Sequence, residues 1–292
     1  MNVSESTDSM LPWSITTPLG EQLSTNLPRT VRTFEEFIKV DVCTGDSDPV
    51  YWAIVGARLK WGHAWASRFC VGMLAYYHTG TAAKAADYEG DDFWRYLHSI
   101  YTTNPRGSER RHLRGSAGIA TLNSMEKLHA SPSVWFSAFP QTYQGVRSIC
   151  ENNLYGFGPY FQLKVCDYMD RCLNIPIHSY VGLARNLPTE PARAVKLMLP
   201  DMSHEAGFSA LCARVDVLQL KAAPSFDRYV GPAEVETSLC GWKTTKFKGN
   251  WFGADILDKR QALWSNDMTE RATQMVDMMP PLVAKDTFKC EL

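Results

Sequence analysis

The sequence predicts a mainly α-helical fold. Apolar residues recur every three or four positions in several segments, as at Trp65, Phe69, Met73 and Tyr76, which is the spacing of one helix face. The Thr-Glu-Pro triplet at 189–191 is a typical helix start, because a capping residue is followed by a proline in the first turn. Alternating runs typical of β-strands are short. Together these observations favour helices joined by loops that carry functional residues.

Length and composition favour one large domain. The 292 residues are 45% hydrophobic and 21% charged, enough to bury a large core. Residues 1–33 are rich in Ser, Thr and Pro without sustained periodicity, and we expect an N-terminal arm or irregular cover there. Residues 34–292 are expected to form a single helical catalytic domain.

Two features bear on location and metal content. No apolar run approaches the roughly 20 residues of a transmembrane helix, and the N-terminus has neither the basic start nor the apolar segment of a signal peptide. We therefore expect a cytoplasmic protein without a membrane partner. The eight cysteines form no CxxC pair typical of zinc sites, so we expect no metal site built on them.

A dense arginine cluster lies at residues 106–115, RGSERRHLRG, in a chain whose net charge is only −1. Guanidinium groups bind phosphate through paired hydrogen bonds, so the cluster predicts a phosphate or pyrophosphate site. The alternative is a solvated loop whose arginines pair with carboxylates such as Glu109. The candidate ligands are Arg106, Arg110, Arg111, His112 and Arg114.

Glycines at 156 and 158 predict a tight hairpin. Pro159 then fits the first turn of a following helix, whose exposed amides are suited to an anion. On that helix Lys164, Asp167 and Arg171 share a flank beside the apolar face, where polar groups are half-sheltered and their pKa values can be tuned. A salt-bridged helix flank is an equally good interpretation.

A second predicted helix runs over residues 232–243 and carries Glu236, Cys240 and Lys243 on one face. These groups are candidates for a base, a nucleophile and a phosphate contact. The alternative is a buried cysteine beside an ordinary Glu–Lys pair, and for Cys240 this alternative is favoured. The following residues 244–255 are expected to form a basic, glycine-hinged loop that grips a phosphate backbone.

Three phrases resemble those of the bacteriophage amino acid:DNA transferases, a family grouped with the alpha-glutamyl/putrescinyl-thymine pyrophosphorylases. They are GFGPYFQLKVCDYMDR at 156–171, ETSLCGWK at 236–243 and RGSERRHLRG at 106–115. The resemblance covers about residues 48–263 and implies a helical domain like that of helix-hairpin-helix DNA glycosylases. No Val-Asp-Thr-His phrase follows the hairpin, where the glycosylases carry their aspartate, so base excision is not expected.

The resemblance implies an enzyme of the host cell cytoplasm that acts on double-stranded phage DNA. Its target is 5-hydroxymethyluracil already carrying a pyrophosphate, which an amino acid or amine displaces to give a hypermodified thymine. The arginine cluster then stabilises the leaving pyrophosphate, and a thiolate of Cys240 adding to the uracil ring is a second route. The base is Asp167 or Glu236, with Lys164 beside them, and the DNA contacts are Gly156, Gly158, Lys243, Lys246 and Lys248.

Two other classes of function stay open at this point. One is a non-catalytic helical DNA-binding or scaffold protein of the same pathway, and the other, less favoured, is a DNA glycosylase. The sequence shows no required cofactor. Because pyrophosphate often travels with magnesium, Mg²⁺ stays open as a cofactor.

Overall fold

Helices make up most of the chain, which confirms the predicted mainly α class. The structure is a computed structural model that describes residues 10–101, 103, 115–264 and 269–292. Within these residues the α-helices are α1 Phe34–Thr44, α2 Pro49–Trp61, α3 His63–Tyr76, α4 Thr79–Ala86, α5 Gly90–Ser99, α6 Ser116–Leu128, α7 Tyr143–Asn153, α8 Pro159–Asp167, α9 Thr189–Met198, α10 His204–Asp216, α11 Pro232–Lys248, α12 Ala254–Trp264 and α13 Glu270–Met278.

Short non-α turns complete the helical body. Two 3₁₀ helices span Pro132–Ala138 and Ala184–Asn186, and a π-helical turn at Tyr168–Cys172 follows α8 directly. The tryptophans Trp52, Trp65, Trp94 and Trp135 are almost fully buried in one continuous apolar core. No helix in the described ranges is long and apolar enough to cross a membrane.

The N-terminal segment is more regular than the sequence analysis expected. The strands β1 Met10–Thr16 and β2 Gln22–Pro28 form an antiparallel hairpin, and β3 Thr30–Val31 pairs in parallel with β4 Lys289–Cys290. Every second residue of β1 turns inward, ending with the buried Ile15. Interleaved prolines and polar residues weaken this period of two, and the segment was therefore expected to be irregular.

Two helix boundaries position the residues of interest. The predicted start of α8 at Pro159 is confirmed. Helix α11, in contrast, continues past Lys243 to Lys248, and Gly249 ends it with a left-handed φ of 67°. Residues 244–248, expected to lie in a loop, are therefore helical, because the stop signal is Gly249 and not the charged run before it.

Close packing of α3 on α4 gives a test of the fold. A Cβ added at Gly72 would lie 3.0 Å from the Cα of Ala82, a backbone atom that cannot move aside alone. We expect Gly72→Ala to lower the free energy of unfolding by about 1–3 kcal/mol, as overpacking does. Urea denaturation measures this change.

The matched control is Gly158→Ala. Gly158 has a φ of −72°, and a Cβ there would meet nothing within 4 Å. Its stability should therefore differ from that of the natural chain by less than about 0.5 kcal/mol. Equal destabilisation of both variants would contradict the tight α3–α4 contact.

Candidate active site

A cleft of about 600 Å³ lies between α8, α11 and α12. The loop before α2 and the start of α9 complete its walls. Its polar lining comes from Ser47, Asp48, Tyr77, Tyr160, Lys164, Thr189, Glu190, Glu236, Thr237, Cys240, Lys243, Thr244, Lys248, Asn250, Asp255, Asp258 and Lys259. The volume lies within the range of small-molecule sites.

Helix α11 forms one wall of the cleft. Glu236, Cys240 and Lys243 all line it, because their spacing of four and three residues places them on one helix face. Lys248 lines the same cleft near the end of α11, whereas the exposed Lys246 lies over the ring of Trp242, with Nζ 4.9 Å from the ring centroid. The grouping of the first three residues is as the sequence analysis expected.

Glu236 is the most unusual group in the cleft. The residue is only 1% exposed, and its side-chain atom Oε1 has no hydrogen-bond partner among the described residues. Burial raises the pKa of this carboxyl to about 8, with the Lys164 ammonium opposing and the Asp167 and Asp48 carboxylates assisting the rise. A carboxyl with a pKa in this range has the acidity that suits a general acid or base near neutral pH.

Cys240 lies one helical turn after Glu236. Burial raises the pKa of its thiol well above the usual range, and the nearby Glu236 carboxylate adds to the rise. The thiol is therefore protonated at neutral pH, a state that is unfavourable for nucleophilic attack.

Lys164 and Asp167 form a buried pair below the cleft. Lys164 Nζ donates to Asp167 Oδ2 at 2.7 Å and to the Tyr51 hydroxyl at 2.9 Å, and that hydroxyl donates to Asp167 Oδ2 at 3.0 Å. Burial lowers the pKa of Lys164, but the carboxylates of Asp167 and Asp48 outweigh this effect and hold the pKa above its usual value. The flank expected to be half-sheltered is thus buried, because the start of α2 covers it.

The buried charges continue away from the cleft through alternating signs. Arg171, in the π-helical turn, places Nη1 2.7 Å from Asp48 Oδ2 and Nε 3.2 Å from Glu234 Oε1. Arg228 then lies 2.6 Å from Glu234 and 2.9 Å from Asp170. The network fixes α2, α8 and α11 against one another around the Lys164 ammonium.

The outer part of the cleft is polar and partly open. Lys243 forms an ion pair with Glu190 from the first turn of α9. On the opposite side of the cleft, the hydroxyl groups of Tyr77 and Tyr160 form a hydrogen bond with each other. Lys259 Nζ lies 3.1 Å from Asp258 Oδ2 on α12.

The predicted hairpin lies between α7 and α8. Gly156 has a left-handed φ of 77°, which explains a glycine at this turn. Gly158 is exposed. Its backbone conformation is one that other residues adopt, and a side chain there would meet nothing within 4 Å, so neither feature requires a glycine. A close approach by another molecule is one use for such a glycine. Tyr160, one turn into α8, lines the cleft, so the hairpin lies beside it.

The predicted phosphate ligands at Arg106, Arg110, Arg111, His112 and Arg114 lie outside the described residues. The ranges that are described contain no group of three or more His, Cys, Asp or Glu side chains placed to hold a metal ion.

Several residues in or beside the cleft were not predicted as site residues. Asp48 directly precedes α2, and Tyr51 lies in the first turn of that helix. Glu190 belongs to α9, whereas Asp255 and Asp258 belong to α12. The only signal for Asp48 was its position before Pro49, which marks a helix start without indicating a site. The others are ordinary polar residues in sequence, and only the packing of distant helices brings them to Glu236.

Comparisons with known proteins identify the family. The family model of amino acid:DNA transferases matches residues 42–250, which include Lys164, Asp167 and Glu236. A putrescinyltransferase of Delftia phage PhiW-14 is 30% identical over 257 residues, 84% of this chain and 82% of the relative. A glycinyltransferase of Pseudomonas phage PaMx11 is 26% identical over 286 residues, 85% of this chain and 96% of the relative.

The Lys164–Asp167 pair gives a test of the site. Lys164→Met leaves the fully buried Asp167 carboxylate without its cation, and we expect a loss of about 3 kcal/mol in the free energy of unfolding. The double variant K164M/D167N removes both charges and should recover more than half of that loss. Urea denaturation of the two variants and the natural chain gives both values. A double variant less stable than K164M would contradict the pairing.

Proposed function

The chain belongs to the amino acid:DNA transferase family and is a DNA-modifying transferase, and on this premise we propose the reaction that it catalyses. The proposed substrate is 5-pyrophosphoryloxymethyluracil in double-stranded phage DNA. An amino acid or amine displaces the pyrophosphate and leaves a hypermodified thymine. The relatives named for putrescine and glycine support a small nitrogen nucleophile of this kind.

The observation that carries the proposal is the state of Glu236. A nitrogen nucleophile must lose a proton as it attacks, and a carboxyl with a pKa of about 8 is ionised, and so able to accept that proton, at slightly alkaline pH. Glu236 is among the residues that line the cleft, and its Oε1 is buried without a hydrogen-bond partner in the described part of the chain. Asp167, the other candidate base, is held by Lys164 and Tyr51 and is fully buried.

The bond changes follow from these groups. The amine nitrogen forms a bond to the exocyclic methylene carbon of the base, and the bond from that carbon to the pyrophosphate oxygen breaks, with its electron pair leaving on pyrophosphate. The proton of the attacking nitrogen passes to the Glu236 carboxylate. Lys243 and Lys248 on α11, which line the cleft, and the arginines of 106–114 are proposed to stabilise the charge on the departing pyrophosphate.

Direct attack by the amine is favoured over a covalent route through Cys240. The route through Cys240 needs a thiolate, whereas burial raises the pKa of this thiol and disfavours the ionised form. Cys240 then serves as a wall of the cleft beside the base.

The DNA is proposed to lie across the α7–α8 hairpin. The exposed Gly158, with open space around it, suits a backbone phosphate, and Lys246 and Lys248 near the end of α11 suit a second. The target base then leaves the stack to enter the cleft between Tyr160 and α11. The cost of unstacking is a few kcal/mol.

The decisive experiment supplies the enzyme with DNA containing 5-pyrophosphoryloxymethyluracil and a pool of amino acids and amines. Mass spectrometry of the digested nucleosides then reads the products. New nitrogen-linked adducts with stoichiometric pyrophosphate release support the proposal. DNA that is bound but unchanged points to a scaffold protein, and abasic product points to a glycosylase.

We expect Glu236→Gln to slow transfer at least about 100-fold, because general base catalysis contributes that much or more. In the natural enzyme the single-turnover rate at saturating amine should rise with pH through about 8, as Glu236 loses its proton. The inflection should disappear in E236Q. An inflection that moves with the pKa of the chosen amine would assign the titration to the substrate instead.

Two controls accompany this variant. Glu205→Gln alters an exposed glutamate on α10, outside the cleft, and should leave the rate and pH profile unchanged. Folding is checked by urea denaturation: because the Glu236 pKa is raised from 4.5 in the folded chain, its contribution to stability is present below about pH 4.5 and is lost as pH rises through about 8. E236Q should lack this pH-dependent contribution.

The α11 lysines give a separate test of DNA contact. The variant K246Q/K248Q should weaken DNA binding whatever the sequence, and the slope of log K against log salt should fall in magnitude by about 2, since each phosphate contact contributes about 0.9. Fluorescence anisotropy at several salt concentrations measures the slope. The control K285Q/K289Q removes two exposed lysines outside the cleft and should leave it unchanged.

A further inference from the structure

Phe247 is a large apolar side chain at the place where the cleft opens to solvent. It is 55% exposed and lines the cleft from the last turn of α11. The core-facing stripe of this helix runs through Val235, Leu239 and Trp242, which are buried. Phe247 follows Trp242 by five positions, and five residues turn about 140° around a helix, away from that stripe. Packing of the core therefore does not explain a phenylalanine at this position.

Helix α11 runs along the cleft from its closed end to its mouth. Of the α11 residues that line it, Glu236 is buried, Cys240 and Thr244 are half-buried, and Phe247 is exposed. Phe247 lies 11 positions after Glu236, about 16.5 Å along the helix axis at 1.5 Å per residue. A pyrimidine whose methylene carbon meets Glu236 does not extend that far. The target base itself is therefore not the group that Phe247 is placed to contact.

The side chains on either side of Phe247 are cationic. Lys246 and Lys248 are both exposed, and Lys246 Nζ lies 5.9 Å from the centroid of the Phe247 ring. Ammonium groups beside an exposed aromatic ring suit a nucleic acid, because the cations neutralise phosphates and the flat ring stacks on bases. The family to which the chain belongs acts on DNA, so DNA is the polyanion whose charge complements this end of α11.

A duplex accepts an inserted ring most readily where a base has left the stack. Extrusion of one base removes the stacking partner of its neighbours and costs unstacking energy. Apolar side chains, phenylalanine among them, insert between bases in proteins that distort DNA. An aromatic ring in the gap restores part of the lost stacking, whatever the neighbouring bases are.

We propose that Phe247 enters the DNA duplex and stacks in the gap that the target base leaves when it moves into the cleft. The inference rests on the proposed function, in which the base leaves the stack, and it adds the residue that holds the gap open. Lys246 and Lys248 then bind phosphates beside the gap, while Glu236 acts at the other end of α11. Phe247 is thus a positioning residue, remote from the reacting atoms.

The first test measures binding and needs no reaction. Two short duplexes of one sequence differ at a single position, where one carries thymine and the other a tetrahydrofuran abasic analogue, which presents the gap directly. By fluorescence anisotropy the natural chain should bind the abasic duplex at least about 10-fold more tightly, because stacking on a base contributes that much. Phe247→Ala should reduce this ratio below about 3-fold, whereas Phe247→Tyr, which keeps a flat ring, should retain it. No preference in the natural chain, or a preference that persists in F247A, would overturn the inference.

The matched control is Tyr229→Ala. Tyr229 is 50% exposed and lies beside a lysine, with Lys221 Nζ 3.9 Å from its ring centroid, but it is outside the cleft lining. Y229A should leave the affinities for both duplexes unchanged. A loss of the abasic preference in Y229A as large as that in F247A would contradict a specific role for Phe247. The urea midpoint of F247A should match that of the natural chain, because the replaced ring is largely exposed.

Transfer kinetics then connect the gap to the reaction. The substrate strand carries 5-pyrophosphoryloxymethyluracil and is supplied either alone or paired with its complement. F247A should lower kcat/KM at least about 10-fold on the duplex but less than about 3-fold on the single strand, which has no paired stack to hold open. Equal losses on both substrates would overturn the inference and leave the transfer reaction intact. No transfer to either substrate, with an abasic preference that depends on Phe247, would count against the proposed function and support the inference.

Discussion

The cleft depends on one electrostatic constraint: a charge buried at its base must have a partner of opposite sign. An unpaired buried ion costs several kcal/mol, so the network alternates cation and anion through Lys164, Asp167, Arg171 and Glu234. Asp48, directly before α2, joins the same network through Arg171, so its members come from parts of the chain that are far apart in sequence. Holding these charges together therefore also fixes the helices that form the cleft.

Glu236 satisfies the same constraint in a different way. It lies within the field of Lys164 but forms no ion pair, and it avoids a buried negative charge by keeping its proton up to a pH of about 8. A rigid network beside one loosely satisfied acid separates two roles. The paired charges maintain the geometry, whereas Glu236 carries no ion pair, and for that reason it is the group proposed to exchange a proton with a ligand.

The sequence was sufficient to predict features set by local residue spacing, such as helix faces and helix starts. It was not sufficient to predict contacts between segments that are distant in the chain. Helical spacing was sufficient to place Glu236, Cys240 and Lys243 on one face, and Pro159 to start α8. The hairpin at 10–28 was missed because prolines and polar residues obscure its alternation. Asp255 was missed for another reason: a lone aspartate near the start of a helix acquires meaning only when α12 and α11 border the same cleft, and no local pattern records that arrangement.

The position of Asp255 separates two parts of the cleft. Glu236 and the charges around Lys164 lie inside the segment that the family model matches, residues 42–250, whereas Asp255 and the rest of α12 lie beyond it. The ion pairs of the buried network join α8, α11 and the residue before α2. A substitution in α12 can therefore change the charge of the cleft wall without removing a member of that network.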